Sequence, residues 1–174
     1  QVSWLIVIGI DTDHGYSEQR VSEREEEIVS VSKAYNFFNT YQLRFPATKL
    51  DITPMHLLIQ SFSRVFQEIK PDIVYLPYRG DVHSDHKFVF DATIACTKWF
   101  RYPFVKKVLI YETLSETEFG LNPDTNAFRP NVYVNVTPYI EKKWSIMQMY
   151  KSEVAGFPFP RSESSLIALA RFRG

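Results

Sequence analysis

The sequence predicts an α/β protein in which helices cover a mostly parallel β-sheet. Three observations predict it. Residues 4–10 form a continuous apolar, largely β-branched run, as strands buried on both faces do. A segment from Asp51 to Ile69 has the apolar spacing of an amphipathic helix, with Leu58, Phe62, Val65, Phe66 and Ile69 on one side. Pro71 ends that helix, and a second apolar run, Ile73–Leu76, follows at once. Helix feeding directly into strand is the order that parallel sheets with crossover helices require.

The first strand passes into a polar loop from Asp11 to Val21. Ser22 to Tyr35 then reads as helix, with Ser22 placed to cap it, acidic residues in its first turn, and Ile28, Val31 and Tyr35 on one face. Tyr41–Phe45 suits a short strand. Thr53 and Pro54 carry the signal of an N-cap followed by a first-turn proline. Helical character returns from Lys87 to Trp99, and Val108–Tyr111 and Val132–Val136 suit further strands. Thr137-Pro138 repeats the cap-plus-proline signal for a helix reaching about Lys151, and Ser162 opens a last helix beyond the Pro158/Pro160 turn. There is no repeat, low-complexity tract or linker, so residues 1–174 are expected to form a single domain.

The totals limit the function. Twenty basic and twenty acidic residues cancel, which disfavours nucleic-acid binding through a broad basic face. No apolar stretch approaches the ~20 residues of a membrane span. The N-terminal run has no basic residues before it and leads into Asp11-Thr12-Asp13 rather than a small-residue cleavage site, so it does not read as a signal peptide. The lone Cys96 forms no intrachain disulfide and suits a reducing compartment, so a cytoplasmic protein is expected, with Cys96 a buried inert thiol. Both ends are abrupt, one at a strand and one at Gly174, and the chain is expected to be truncated at both. Homo-oligomerisation is left open. His56 is expected to face solvent, and Trp4, Trp99 and Trp144 to be core rather than sugar platforms. Arg161 suits either a substrate anion or a helix end.

Chemistry concentrates in Asp81-Val82-His83-Ser84-Asp85-His86, just past the carboxyl end of the Ile73–Leu76 strand, where open α/β sheets bind ligands. Two histidines three apart at the start of a helix project to one side. They could share a metal, or one could bind metal while the other serves as acid or donor. Catalytic zinc normally takes three protein ligands and keeps a position for water, so further ligands would have to come from elsewhere. Asp85 could orient an imidazole. Spacing alone is equally compatible with solvent-exposed histidines in a polar loop.

The string Pro71-Asp72-Ile73-Val74 leading into Asp81-x-His83-x-Asp85-His86 resembles the second signature of the PIG-L/LmbE family of zinc-dependent de-N-acetylases. Arg24-x-x-Glu27 resembles the family's R-x-x-E, and Phe45-Pro46 with Leu50 and Pro54 its F-P-D and L-x-x-x-P pattern. Tyr111-Glu112 and Ser115-Glu116-Thr117-Glu118-Phe119 are similar to its Y-E-x-x-S-S-T-E-W. Phe128-x-Pro130-Asn131, Lys143, Tyr150–Glu153 and Pro158-x-Pro160-Arg161-Ser162 continue in order, so the resemblance covers essentially the whole chain. It implies, together with the alternation of elements, a Rossmann-like three-layer α/β/α sandwich. It also implies hydrolysis of an N-acetyl group on an amino sugar or sugar conjugate. By the same resemblance His86 is a ligand of Zn²⁺ or another divalent metal, and His83 a catalytic acid and oxyanion stabiliser. Asp85 is a catalytic residue holding one of the rings, and Arg24 and Asp81 are substrate-binding residues. A zinc-acidified water would attack the acetamide, with a histidine as proton donor to the amine.

The family's first signature, [AP]-H-P-D-D-E, is absent. Residues 4–10 match the family's second strand, and Arg24 stands too near the start for the first to fit. The signature is expected upstream in a longer protein. Aligning Ile10–His14 with A-H-P-D-D leaves no room for the intervening helix and strand, although Asp13 and His14 could reach the site from a neighbouring strand end. Ala47 stands where F-P-D members carry aspartate, which puts substrate contacts there in doubt. The competing reading is an inactive homologue acting as a carbohydrate-binding or scaffold protein.

Overall fold

The computed structural model describes residues 1–120 and 127–174. Strand β1 (Ser3–Gly9) runs parallel to β2 (Asn39–Pro46), joined through helix α1 (Glu18–Tyr35). The register from Ser3↔Asn39 to Ile6↔Gln42 slips by one residue before Ile8↔Phe45. The extra residue lies on β2, where Arg44 takes a left-handed φ of 57°, as a bulge demands. Gly9 allows that bulge to sit close, because a Cβ there would stand 3.3 Å from the Arg44 Cα.

Helix α2 (Met55–Ile69) leads to β3 (Ile73–Pro77), and α3 (Ser84–Ala95) to β4 (Lys107–Tyr111), which is parallel to β3. Helices α4 (Ile140–Met147) and α5 (Glu163–Arg173) complete the chain. The protein is therefore α/β with short parallel sheets. Among the described residues β1 pairs only with β2 and β3 only with β4, so the single sheet expected from the sequence is present as two two-stranded ribbons. One core serves both. Leu58, Phe62 and Phe66 of α2 meet Val74 of β3, Ala92 of α3, Leu50, Cys96 and Tyr102, with Leu5, Val7, Ile8, Leu43 and Phe45 of the first ribbon packed against the same cluster. The Cys96 thiol is fully buried, and that burial pushes its pKa up. No helix among the described residues is long and apolar enough to cross a membrane.

Several boundaries differ from the sequence expectation. Helix α1 begins at Glu18, capped by Ser17, whose Oγ accepts from the Arg20 N–H at 3.2 Å. Its first turn, Glu18–Arg20, is wholly polar and carries no apolar period, so the pattern points to Ser22 instead. Thr53 does not cap α2. Its hydroxyl donates to the Lys49 carbonyl at 3.0 Å, and Pro54 takes the cap position without a side-chain bond. Val132–Val136 joins no ladder, and Val132, Tyr133 and Val134 are exposed. Alternating apolar residues there had no neighbouring strand to pair with among the described residues. Helix α4 stops at Met147 rather than Lys151, its end tightened by the Met149 N–H bonding the Ile146 carbonyl. Trp99 is 79% exposed, because α3 ends at Ala95 and leaves it in a loop, edge-on to Phe100. His56 is exposed, as expected.

An ionic network ties the C-terminal segment to α1. Arg24 pairs with Glu153 and, at 3.5 Å, with Glu27, which is buried. Arg161 donates to the Glu153 carbonyl at 2.7 Å, to its carboxylate at 3.0 Å and to Ser115 Oγ at 2.8 Å. The Arg24 guanidinium lies 5.4 Å from the centre of the Tyr150 ring. Burial pushes the Tyr150 phenol up to about 12, with Arg24 acting in the other direction. The folded state thus favours the neutral phenol, while the unfolded chain ionises near the ordinary value of 10. Tyr150 stabilises the fold fully below that value, and the contribution is lost as pH rises toward about 12. Tyr150→Phe is expected to flatten the alkaline loss of stability, measured by urea melts at about pH 9 and about pH 11.

Candidate active site

Parallel ribbons deliver their following loops to the same end, and the candidate site is built where the loops after β3 and β4 meet. The Asp81 N–H bonds the Tyr78 carbonyl at 3.3 Å, curling the first loop, and the Val82 N–H bonds the Glu116 carbonyl at 3.1 Å, joining it to the second. Helix α3 then starts at Ser84 with His83 as its N-cap, an unusual choice. The imidazole does what a capping oxygen would, since its Nδ1 accepts from the Asp85 N–H at 3.3 Å.

His86 lies one turn on, and the two rings stack with centroids 5.0 Å apart and an interplanar angle of 19°. Its Nδ1 is 2.7 Å from Asp81 Oδ2. The Asp81 side chain is completely shielded from solvent, and its other oxygen accepts from the Thr117 hydroxyl at 2.6 Å. These bonds assign opposite tautomers to the two neutral rings. A carboxylate can only accept, so His86 carries its proton on Nδ1 and keeps a lone pair on Nε2. His83 spends its Nδ1 lone pair on a backbone amide, so its proton sits on Nε2. One ring thus keeps a lone pair on Nε2, as a ligand or base does, and its neighbour an N–H there, as a donor does. Tyr111, at the end of β4, adds a phenol whose pKa is raised by burial and further by the charge of Asp81.

The expected site residues separate into groups. Asp81, His83 and His86 come together. Asp85 is in the same turn, but its carboxylate accepts from the Thr48 N–H at 2.7 Å and the Leu50 N–H at 3.3 Å. It anchors the loop between β2 and α2, and the ring-holding carboxylate is Asp81 instead. Arg24 sits in the Glu153–Arg161 network, which reaches the site's second loop through Ser115. His14 has its Nδ1 2.6 Å from Asp11, a local pair in the turn after β1. Thr117 belongs to the Ser115–Phe119 motif, but its partnership with Asp81, 36 residues away in sequence, had no signal of its own.

A family model for GlcNAc-PI de-N-acetylase, PIG-L, matches residues 8–97, which run from β1 through α3 and include Arg24 and the whole Asp81–His86 turn. The chain belongs to the PIG-L family. No curated protein matches it. Two solved structures share the PIG-L chain's fold. The conserved protein TT1542 from Thermus thermophilus is 18% identical, with a TM-score of 0.70 over 98% of this chain and 73% of its own. The N,N'-diacetylchitobiose deacetylase from Pyrococcus horikoshii, complexed with its inhibitor MPG, is 17% identical, with a TM-score of 0.70 over 100% of this chain and 67% of its own.

A metal fits this PIG-L chain only in part. His86 has the form of a ligand: a carboxylate fixes one ring nitrogen, the other makes no hydrogen bond among the described residues, and the side chain is 24% exposed. Among the described residues, however, no group of three or more His, Cys, Asp or Glu side chains could hold a metal ion. They supply one corner of a zinc site rather than a whole one.

Proposed function

We propose that the protein hydrolyses the N-acetyl group of an amino sugar or sugar conjugate, releasing acetate and the free amine. The observation that carries this reading is the pair of stacked imidazoles held in opposite tautomers. Amide hydrolysis needs an acceptor or ligand position on one side of the carbonyl and a proton donor on the other, and His86 and His83 provide them. Membership of the PIG-L family supports the reaction class, and the likeness to a chitobiose deacetylase supports an amino-sugar substrate. The same likeness supports reading the two ribbons as parts of one Rossmann-like three-layer α/β/α sandwich.

In this reading His86 is one ligand of a divalent metal, zinc by preference, with further ligands that the described residues do not supply. When bound, the metal supplies Lewis-acid polarisation and a water acidified toward neutral pH. His83 Nε2–H donates to the carbonyl oxygen as negative charge develops on it, and the ring hands that proton on to the departing amine while taking back at Nε2 the one the attacking water releases, so that it ends neutral. Asp81 holds His86 in place throughout. Arg24 and Asp85 act from the periphery, Arg24 toward the substrate and Asp85 through the 48–50 loop.

The incomplete ligand set favours one second reading, a carbohydrate-binding member without catalysis. A single assay separates them. Protein equilibrated with zinc is expected to release acetate from N-acetylglucosamine conjugates, and to lose that activity on chelation. Binding of the conjugates without acetate release, at saturating zinc, would sink the hydrolase reading.

A further inference from the structure

We propose that Thr117 is a positioning residue for His86, acting through Asp81. The inference builds on the proposed role of His86 for its chemical consequence and stands on geometry of its own. Asp81 is a carboxylate with no solvent exposure, and two protein donors satisfy it, Thr117 Oγ on one oxygen and His86 Nδ1 on the other. The Thr117 hydroxyl is not free to turn elsewhere. Its oxygen accepts the Thr113 N–H at 2.8 Å, which directs its only proton at Asp81. The result is a one-way chain of hydrogen bonds, from the Thr113 amide to the Thr117 hydroxyl to the Asp81 carboxylate, which receives the His86 ring proton from the other side.

The chain matters because His86 can present Nε2 as a lone pair only while its proton stays on Nδ1. A carboxylate anchored at one oxygen keeps the other aimed at the ring. A carboxylate that has lost its anchor can rotate, and the ring it orients is released to the other tautomer. Thr117 is well suited to this task alone, because the two loops are already joined by the Val82 N–H bond to the Glu116 carbonyl, one residue from each partner. Removing the hydroxyl should therefore loosen the carboxylate without parting the loops.

The test compares Thr117→Val, which keeps the shape and loses the hydroxyl, with Thr117→Ser, which keeps the hydroxyl. Ring ¹⁵N shifts of His86 in metal-free protein report the tautomer directly. The expected result is an Nδ1–H ring in the wild type and in Thr117→Ser, and a mixed tautomer in Thr117→Val. If Thr117→Val does not fold, Thr117→Ala carries the same readouts. An unchanged His86 tautomer in a folded variant lacking the hydroxyl would overturn the proposal. Because the ring shifts are read without metal or substrate, a protein that releases no acetate would refute the hydrolase reading and leave this result to stand or fall separately.

Discussion

Replacing His83 by alanine is expected to lower kcat for acetate release by about 10²–10³, the usual cost of removing one donor from a developing oxyanion. The same change removes a helix cap, because His83 Nδ1 accepts the Asp85 N–H at the start of α3. Alanine should therefore also cost about 1 kcal/mol of stability. His83→Asn separates the two effects. An asparagine oxygen can accept the same amide and keep the cap, but it cannot transfer a proton to the departing amine. Both variants should be slow, and only the alanine should melt early. Measuring kcat and urea midpoints on the two variants decides the matter. An asparagine variant with near wild-type kcat would remove His83 from proton transfer.

Much of this architecture was legible in local sequence, and what was not shares a physical cause. Residues 4–10 and Ile73–Leu76 were readable as strands from their apolar runs, although β1 is only half-buried and Ile73 and Tyr75 of β3 stay exposed. The apolar face of α2 was readable because Leu58, Phe62, Val65 and Phe66 repeat with helical period. Helix starts were less secure, since the caps depend on how individual hydroxyls are used. Thr53 looks like a cap and instead bonds Lys49, while Ser17 caps α1 ahead of a turn with no apolar residue. The Asp81–His86 turn showed its histidines through their three-residue spacing. It did not show which aspartate held which group, because Asp81 and Asp85 both lie within reach of a ring along the chain. Only the path of the backbone decides: Asp85, on the first turn of α3, faces the 48–50 loop, while Asp81 curls back beneath His86. Thr117 was present in the sequence only as part of a motif. Its partnership with Asp81 exists because β3 and β4 are parallel and release their loops at one end.

Asp85→Ala is expected to produce the largest loss of stability among these substitutions, roughly 3 kcal/mol, from the buried amides it strands. The Asp85 carboxylate is 2% exposed and accepts from two backbone N–H groups, Thr48 and Leu50. Leu50 is itself completely buried in the core, and Thr48 holds a left-handed φ of 61° that the carboxylate contact helps to fix. Alanine leaves both amides without their acceptor and opens a cavity at the joint between α3 and the loop into α2. Asparagine should recover part of the loss, because it offers one acceptor oxygen but turns an NH₂ toward the second amide. The carboxylate also sits in the first turn of α3, where negative charge is favoured by the helix dipole, and neither variant retains that. Urea melts of the two variants measure the loss, and kcat per folded molecule tests what Asp85 does beyond it. A fall in urea midpoint with a smaller kcat deficit than His83→Ala is expected if the loop is its main client. A hundredfold drop in kcat for Asp85→Asn at unchanged stability would return Asp85 to the histidine rings.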